Sequence, residues 1–251
     1  MKRYLPLLIF LLLPSVLLAQ PIGEVLLLQG KLKLHGPSGD RYFKEKGATI
    51  PIERADEIQT GSDARAKLFL RGKAESIELY SSSYLSLAKY RRKESNISLP
   101  VGKARFKVNY TTLKTRPLFG LRTANTIIRM KGTEFVVETI GGSTNLLTLE
   151  GTLTMANIEA PEIQVDVSKN QASRVSGEAM PSAPVSVPPK IQAAILKAKS
   201  GNTKGWEAAG LKDQPKAKKV KKKKKKKSKD KKKHKQETSG EEWDSENSSD
   251  G

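Results

Sequence analysis

Lys103-Ala104-Arg105-Phe106-Lys107-Val108 alternates without a break between a cation and an apolar residue. Successive side chains of a β-strand point to opposite faces. The spacing therefore predicts Ala104, Phe106 and Val108 inside and Lys103, Arg105 and Lys107 in water. The same alternation recurs on both sides of this stretch. Lys31-Leu32-Lys33-Leu34, Ala66-Lys67-Leu68-Phe69-Leu70, Ile77-Glu78-Leu79 and Leu85-Ser86-Leu87 precede it. Thr148-Leu149-Glu150, Thr152-Leu153-Thr154-Met155 and Ile163-Gln164-Val165-Asp166-Val167 follow it.

Turn-forming residues separate these runs. Gly36-Pro37-Ser38-Gly39-Asp40 reads as a loop, and Gly61-Ser62-Asp63, Arg71-Gly72-Lys73, Gly102, Gly132 and Gly141-Gly142-Ser143 punctuate the rest. About eleven or twelve short strands between Ile22 and Val175, with no amphipathic helix among them, predict an all-β domain. Two architectures stay open: antiparallel hairpins in a β-sandwich, or parallel strands on a coiling, solenoid-like path. Gly23, Gly30, Gly102 and Gly151 each stand just before a strand, but at intervals too irregular for a regular repeat.

The chain has 251 residues, of which 37% are hydrophobic and 6% aromatic, so part of it is expected to lie outside any core. Residues 1–19 read as a signal peptide. Lys2 and Arg3 precede an apolar run from Tyr4 to Leu18, and Ala19 offers a small residue ahead of a cut at Gln20. That run is shorter than the ~20 residues needed to span a bilayer and is broken by Pro6 and Pro14, so cleavage is expected over retention as an anchor. A β-domain follows over 20–178, then a Pro-rich linker over 179–189 and a short helical segment over 190–211. The helix places Ile191, Ala194, Ile195 and Ala198 on one face. Alone it is marginal, so it must dock or fray. Trp206 and Leu211 are the candidates for a last contact before the tail.

Residues 212–251 are a different material. Lys212 to Lys235 carries a net charge of +14, and Gln236 to Gly251 carries −6, against +20 for the whole chain. Such dense like charge buries nothing and cannot offset its ordering entropy, so this segment is expected to be disordered. Its expected role is contact with polyanions through Lys218, Lys219, Lys221, Lys222, Lys223, Lys224, Lys225, Lys226, Lys227, Lys229, Lys231, Lys232, Lys233 and Lys235. Attraction of this kind reads charge and fades with salt. Given the export signal, the expected partners are an envelope protein or an anionic envelope polymer: a glycan, lipopolysaccharide or phospholipid headgroups. The folded part adds Lys89, Arg91, Arg92 and Lys93 around Tyr90.

Little points to catalysis. There is no cysteine, no Gly-x-Ser-x-Gly elbow and no P-loop. His35 lies beside Gly36-Pro37 and reads as a surface turn residue, and His234 lies within the lysine tail. Asp56-Glu57 and Glu134 with Glu138 are carboxylate pairs by sequence; the latter two share one strand face and read as exposed charge. The expectation is a non-enzyme with no cofactor, no metal and no evident small-molecule substrate.

Five elements, in order, resemble the FecR domain family. Gly23-Glu24-Val25 with Gly30-Lys31-Leu32 resembles its opening strand, and Ala55 to Leu68, with Asp56, Ile58, Thr60 and Gly61, its "gD-x-I-x-T-G" stretch. Leu99 to Val108 resembles a third element, around Gly102. Thr123-Ala124-Asn125, leading into Arg129-Met130-Lys131-Gly132-Thr133-Glu134-Phe135, resembles the "R-G-T-x-F" signature. Leu149-Glu150-Gly151-Thr152-Leu153 resembles the close. Asn125 and Lys131 stand where the family usually has proline and arginine. The resemblance implies an extracytoplasmic all-β domain used for contacts, without catalytic residues, and a relation to periplasmic regulators of iron uptake. With an apolar segment already at residue 4, the sequence reads as lacking those regulators' anti-sigma segment. The motif residues Thr60, Gly61, Gly102, Gly132, Thr133, Phe135 and Gly151 read as structural: Thr60-Gly61 as a turn with glycine at positive φ and the hydroxyl bonded to backbone, and Gly132-Thr133 as the end of a strand that admits Phe135 to the core.

Overall fold

A computed structural model describes residues 21–70, 74–90, 95–109, 119–130 and 132–211. The chain divides into two units, 1–214 and 215–251. The expected signal peptide, the lysine tail and its acidic end, the 71–73 turn and the cluster around Arg91 and Arg92 lie outside the described residues.

The described residues form seventeen strands, more than the alternation alone revealed. They are β1 (Gly23–Gln29), β2 (Leu32–Gly36), β3 (Gly39–Phe43), β4 (Thr49–Ile52), β5 (Glu57–Thr60), β6 (Arg65–Leu70), β7 (Ala74–Leu79), β8 (Tyr84–Tyr90) and β9 (Ser95–Asn109). Then come β10 (Phe119–Thr123), β11 (Thr126–Met130), β12 (Glu134–Ile140), β13 (Ser143–Glu150), β14 (Thr152–Asn157), β15 (Ala160–Ser168), β16 (Gln171–Ser176) and β17 (Val185–Ser186). Two short helices close the described chain, α1 (Pro189–Lys197) and α2 (Lys204–Ala208).

All seventeen strands belong to one hydrogen-bonded sheet, and it is folded over at β9 into two leaves. Leaf A runs β4-β1-β6-β7-β9-β12-β13-β16-β17. Leaf B runs β3-β2-β5-β8-β9-β10-β11-β14-β15. The early residues of β9 pair with β8 and β10 in leaf B, and its later residues pair with β7 and β12 in leaf A. Among the described residues only the β9–β10 pairing is parallel. Of the two architectures left open by the sequence, the described residues thus form the sandwich.

The bend in β9 falls at Gly102, whose φ is +100°. A Cβ there would sit 2.3 Å from the Ser83 Cα, so both conformation and space exclude a side chain. Gly30, Gly132 and Gly151, all at positive φ, stand at three further points where the chain passes between leaves. Of the four glycines that defied a fixed repeat, Gly30, Gly102 and Gly151 are therefore leaf-to-leaf corners, whereas Gly23 opens β1.

One apolar core lies between the leaves. Leu27, Leu68, Phe106, Phe135 and Leu146 enter it from leaf A, and Leu34, Ile58, Leu85, Leu121 and Ile128 from leaf B. Phe106 and Phe135 are cross-strand partners and stack with ring centroids 4.9 Å apart. The inward set Ala104, Phe106 and Val108 is as the alternation predicts.

Two readings need correction. The Gly36–Asp40 stretch is not one loop: β2 runs through Gly36 and β3 starts at Gly39, leaving Pro37-Ser38 as a two-residue hairpin turn. His35 accordingly sits in β2, not in a turn. Residues 141–142 make a similar turn between β12 and β13, with both glycines at positive φ, the geometry that matches strand twist.

Candidate functional site

A second apolar cluster lies outside the sandwich. Val136, Leu147 and Ala172 face outward from leaf A and pack beneath Val187, Ile195, Trp206, Ala209 and Leu211. The short helix thus docks, as its marginal length requires. Proline at the start of α1 suits the first turn. Ser182 N–H donates to the Arg174 carbonyl (2.8 Å), and β17 pairs with β16, so the chain leading to α1 is strapped to leaf A.

Under this cover runs a polar belt, one residue from each of four adjacent strands. In register, Lys103 on β9 faces Glu138 on β12, Glu138 faces Asn145 on β13, and Asn145 faces Arg174 on β16. Lys103 and Glu138 are both 0% exposed. This corrects the expectation that Lys103 points to water and that Glu138 is exposed charge. The alternation placed both on the outer face correctly. What it could not show is that residues almost a hundred positions away cover that face.

The belt holds the cover by its polar groups. Lys103 Nζ donates to the Ile195 carbonyl and, at 2.7 Å, to the Ala198 carbonyl, both at the C-terminal end of α1. Cations are favoured at that end of a helix. The Glu138 carboxylate accepts from Gly201 N–H (2.6 Å) and from the Trp206 indole N–H (2.5 Å). Arg174 Nη1 donates to the Leu211 carbonyl at 3.0 Å. Two cations approach the Tyr80 ring, Lys103 Nζ at 4.5 Å and the Arg65 guanidinium at 4.9 Å from its centroid. Burial pushes the Lys103 ammonium down to about 8, against the opposing pull of Glu138. Asn145 is different: it is fully buried, and neither its Oδ1 nor its Nδ2 has a partner.

Arg105 and Lys107, the remaining cations of the opening motif, stay on the uncovered part of the face. Arg105 donates to Glu134 through Nε at 2.7 Å and also through Nη2. The pair is part-buried, with Glu134 more enclosed than its sequence pattern suggested.

The motif residues form the corners. Thr60 Oγ1 donates to the Tyr80 carbonyl (2.6 Å) and accepts from Ser83 N–H (2.8 Å), so its hydroxyl does satisfy backbone. Ser83 Oγ in turn accepts from Lys103 N–H at 2.9 Å. Gly61 is a correction: its φ is not positive, and a Cβ there would meet only ordinary contacts, the nearest at 3.4 Å. Gly132 has φ +62°, and a Cβ on Gly151 would press on Thr133 Cγ2 at 2.6 Å. Phe135 is in the core. Asn125 is a junction that sequence reasoning missed. Its Nδ2 donates to the Gly142 and Gly177 carbonyls (2.9 and 3.1 Å), and its Oδ1 accepts from Thr144 Oγ1 (2.7 Å).

Asp56 and Glu57 do not act as a pair. Asp56 Oδ2 accepts from Arg41 Nη2 (2.9 Å) and Glu53 N–H (2.8 Å), whereas Glu57 accepts from Tyr84 and Ser86 hydroxyls. His35 lies 2.7 Å from Asp40 Oδ1 and 3.3 Å from Gln59 Oε1. Among the described residues no group of three or more His, Asp or Glu could hold a metal ion, and no helix is long and apolar enough to cross a membrane.

Residues 56–154 match the family model described as FecR protein. The opening strand at Gly23 and Gly30, part of the resemblance read from the sequence, lies outside the matched residues. Among curated proteins none matches the chain. Two crystal structures of a "putative anti-sigma factor" from Parabacteroides distasonis ATCC 8503 are similar at 14% identity and a TM-score of 0.47. They cover 57% of this chain, and this chain covers 64% and 65% of theirs, less than two thirds of their length.

Proposed function

We propose, with residues 56–154 identified as a FecR domain, that this chain is an exported, non-catalytic binding module of the cell envelope. In this reading the sandwich is a rigid mount and the lysine-rich tail is its contact with anionic polymers. The observation that carries it is the charge step at Leu211. The Leu211 carbonyl is held by Arg174 of β16, and the next twenty-four residues carry a net charge of +14. Each lysine near an anionic surface contributes roughly 1 kcal/mol, and counterion release makes the sum steeply salt-dependent.

The test is co-sedimentation of the full chain with phosphatidylglycerol vesicles, against a full-length variant with Lys221 through Lys227 replaced by glutamine. The wild type should pellet at about 50 mM salt and be released by about 200 mM, and the variant should stay in solution. Equal retention of the two would remove the tail's role.

A second reading is a periplasmic signalling component related to the FecR regulators of iron uptake. The family match favours it, because a regulator of that kind also works by contact. A single stoichiometric envelope protein recovered with the full chain at high salt, where the tail is silent, would favour this reading over the first.

A further inference from the structure

We propose that the outer face of leaf A beneath residues 189–211 is a docking surface for a partner protein, occupied here in cis by the chain's own α1–α2 hairpin. The occupant it fits is a segment that ends a helix and carries a tryptophan a few residues beyond.

The argument starts from a contrast between two faces of the same four strands. Toward the sandwich core, β9, β12, β13 and β16 present Ala104, Val137, Leu146 and Val175, all apolar and all at 0% exposure. On the opposite face they present Lys103, Glu138, Asn145 and Arg174 in one row, beside the apolar Val136, Leu147 and Ala172. A permanently dry interface is more stable when apolar, because burying charges and amides is costly unless every group is paired. A face that mixes apolar residues with a row of charges and an amide has the composition of a protein–protein interface more than of a core.

Asn145 adds an independent observation. With the hairpin in place, both of its side-chain polar atoms are sealed in without a partner, a penalty of about 1–3 kcal/mol for each unsatisfied group. Removal of the hairpin would hydrate Asn145, and a better-fitting occupant would hydrogen-bond it. The hairpin is thus an incomplete match for the face it covers.

The chemistry of the occupant is read from the seat. Glu138 takes an indole N–H and a backbone N–H, and Lys103 takes the free carbonyls at a helix end. Val136, Leu147 and Ala172 supply the apolar floor for the indole. A tryptophan in a desolvated pocket ringed by polar contacts is the usual anchor of an exchangeable interface.

Hydrogen exchange on the full chain tests this directly. If the hairpin is a detachable cover, the Gly201, Ala209 and Leu211 amides exchange by local opening. They should do so about 100-fold or more faster than Val137 and Leu146 amides, and low urea should not change their rate. Exchange of both groups at one urea-dependent rate would overturn the proposal, since the hairpin would then open only with the sandwich. In a second arm, a synthetic peptide of residues 189–211 is titrated into full-length Trp206→Ala. Saturable binding, lost in Trp206→Ala/Glu138→Ala, is expected. Absence of binding to a Trp206→Ala protein that retains its β-sheet circular-dichroism spectrum would overturn the docking surface. A concentration-dependent dimer that exchanges hairpins would overturn the choice of occupant in favour of a second copy of this chain.

Discussion

Lys103 on β9 and Glu138 on β12 stand directly opposite each other in the antiparallel register, both sealed from solvent, and neither is the other's hydrogen-bond partner. Their charges balance through space while their hydrogen bonds hold the hairpin. Removing one member leaves the other as an uncompensated buried charge. Glu138→Ala should therefore cost about 3–5 kcal/mol in urea unfolding. In a double-mutant cycle with Lys103→Met the pair should couple by about 0.5–3 kcal/mol. Strict additivity would show that the two charges do not sense each other.

The depressed Lys103 value makes a pH prediction. Between about 8 and the ordinary 10.5 the unfolded chain binds a proton at this site that the folded chain does not. Stability from this group therefore rises with pH across that window, and below it the buried ammonium is a constant penalty. The urea midpoint of the wild type, taken relative to Lys103→Met, should move in the wild type's favour from about pH 7.5 to 9.5. The gain should be at most about 1.4 kcal/mol per pH unit. A flat difference would mean that Lys103 is hydrated.

Asn145→Leu keeps the approximate volume and deletes two unsatisfied atoms. It should raise stability by about 1–3 kcal/mol, seen as a higher thermal midpoint. A lower midpoint would mean that water or protein already satisfies the amide.

Two motif glycines should part company. Gly102→Ala places a methyl group on Ser83 at a φ of +100° and should cost well over 2 kcal/mol. Gly61→Ala, at an ordinary backbone conformation with room for a Cβ, should cost under about 0.5 kcal/mol. Thermal melts of the two variants check this, and similar losses would contradict it.

The sandwich interior was legible because period two is a local property. Phe106, Leu68 and Leu153 are each flagged by their immediate neighbours, and each is buried. The belt was not legible in the same way, because whether an outward residue meets water depends on what lies over it. A signal was nonetheless present. Phe135-Val136-Val137 and Leu146-Leu147 break the alternation with consecutive apolar residues, the mark of strands buried on both faces. Combined with Ile191, Ile195 and Trp206, which needed somewhere to dock, those runs pointed to β12 and β13 as the seat. Strand β3 was missed for another reason: Gly36, Pro37, Ser38 and Gly39 are all turn formers, yet only the middle two are in the turn.

The place of β9 bears on how the molecule assembles. Among the described residues, every ladder between the earlier strands, β1 to β8, and the later ones, β10 to β17, passes through it. Chains are made from the N-terminus, so the first half must wait with the edges of β7 and β8 unpaired until β9 arrives to fill both at once. Open edges of that kind invite pairing with the wrong chain. Substitutions in β9 should thus slow refolding and promote aggregation out of proportion to their effect on final stability, whereas equally destabilising changes in β15, an outer strand of leaf B, should mainly hasten unfolding.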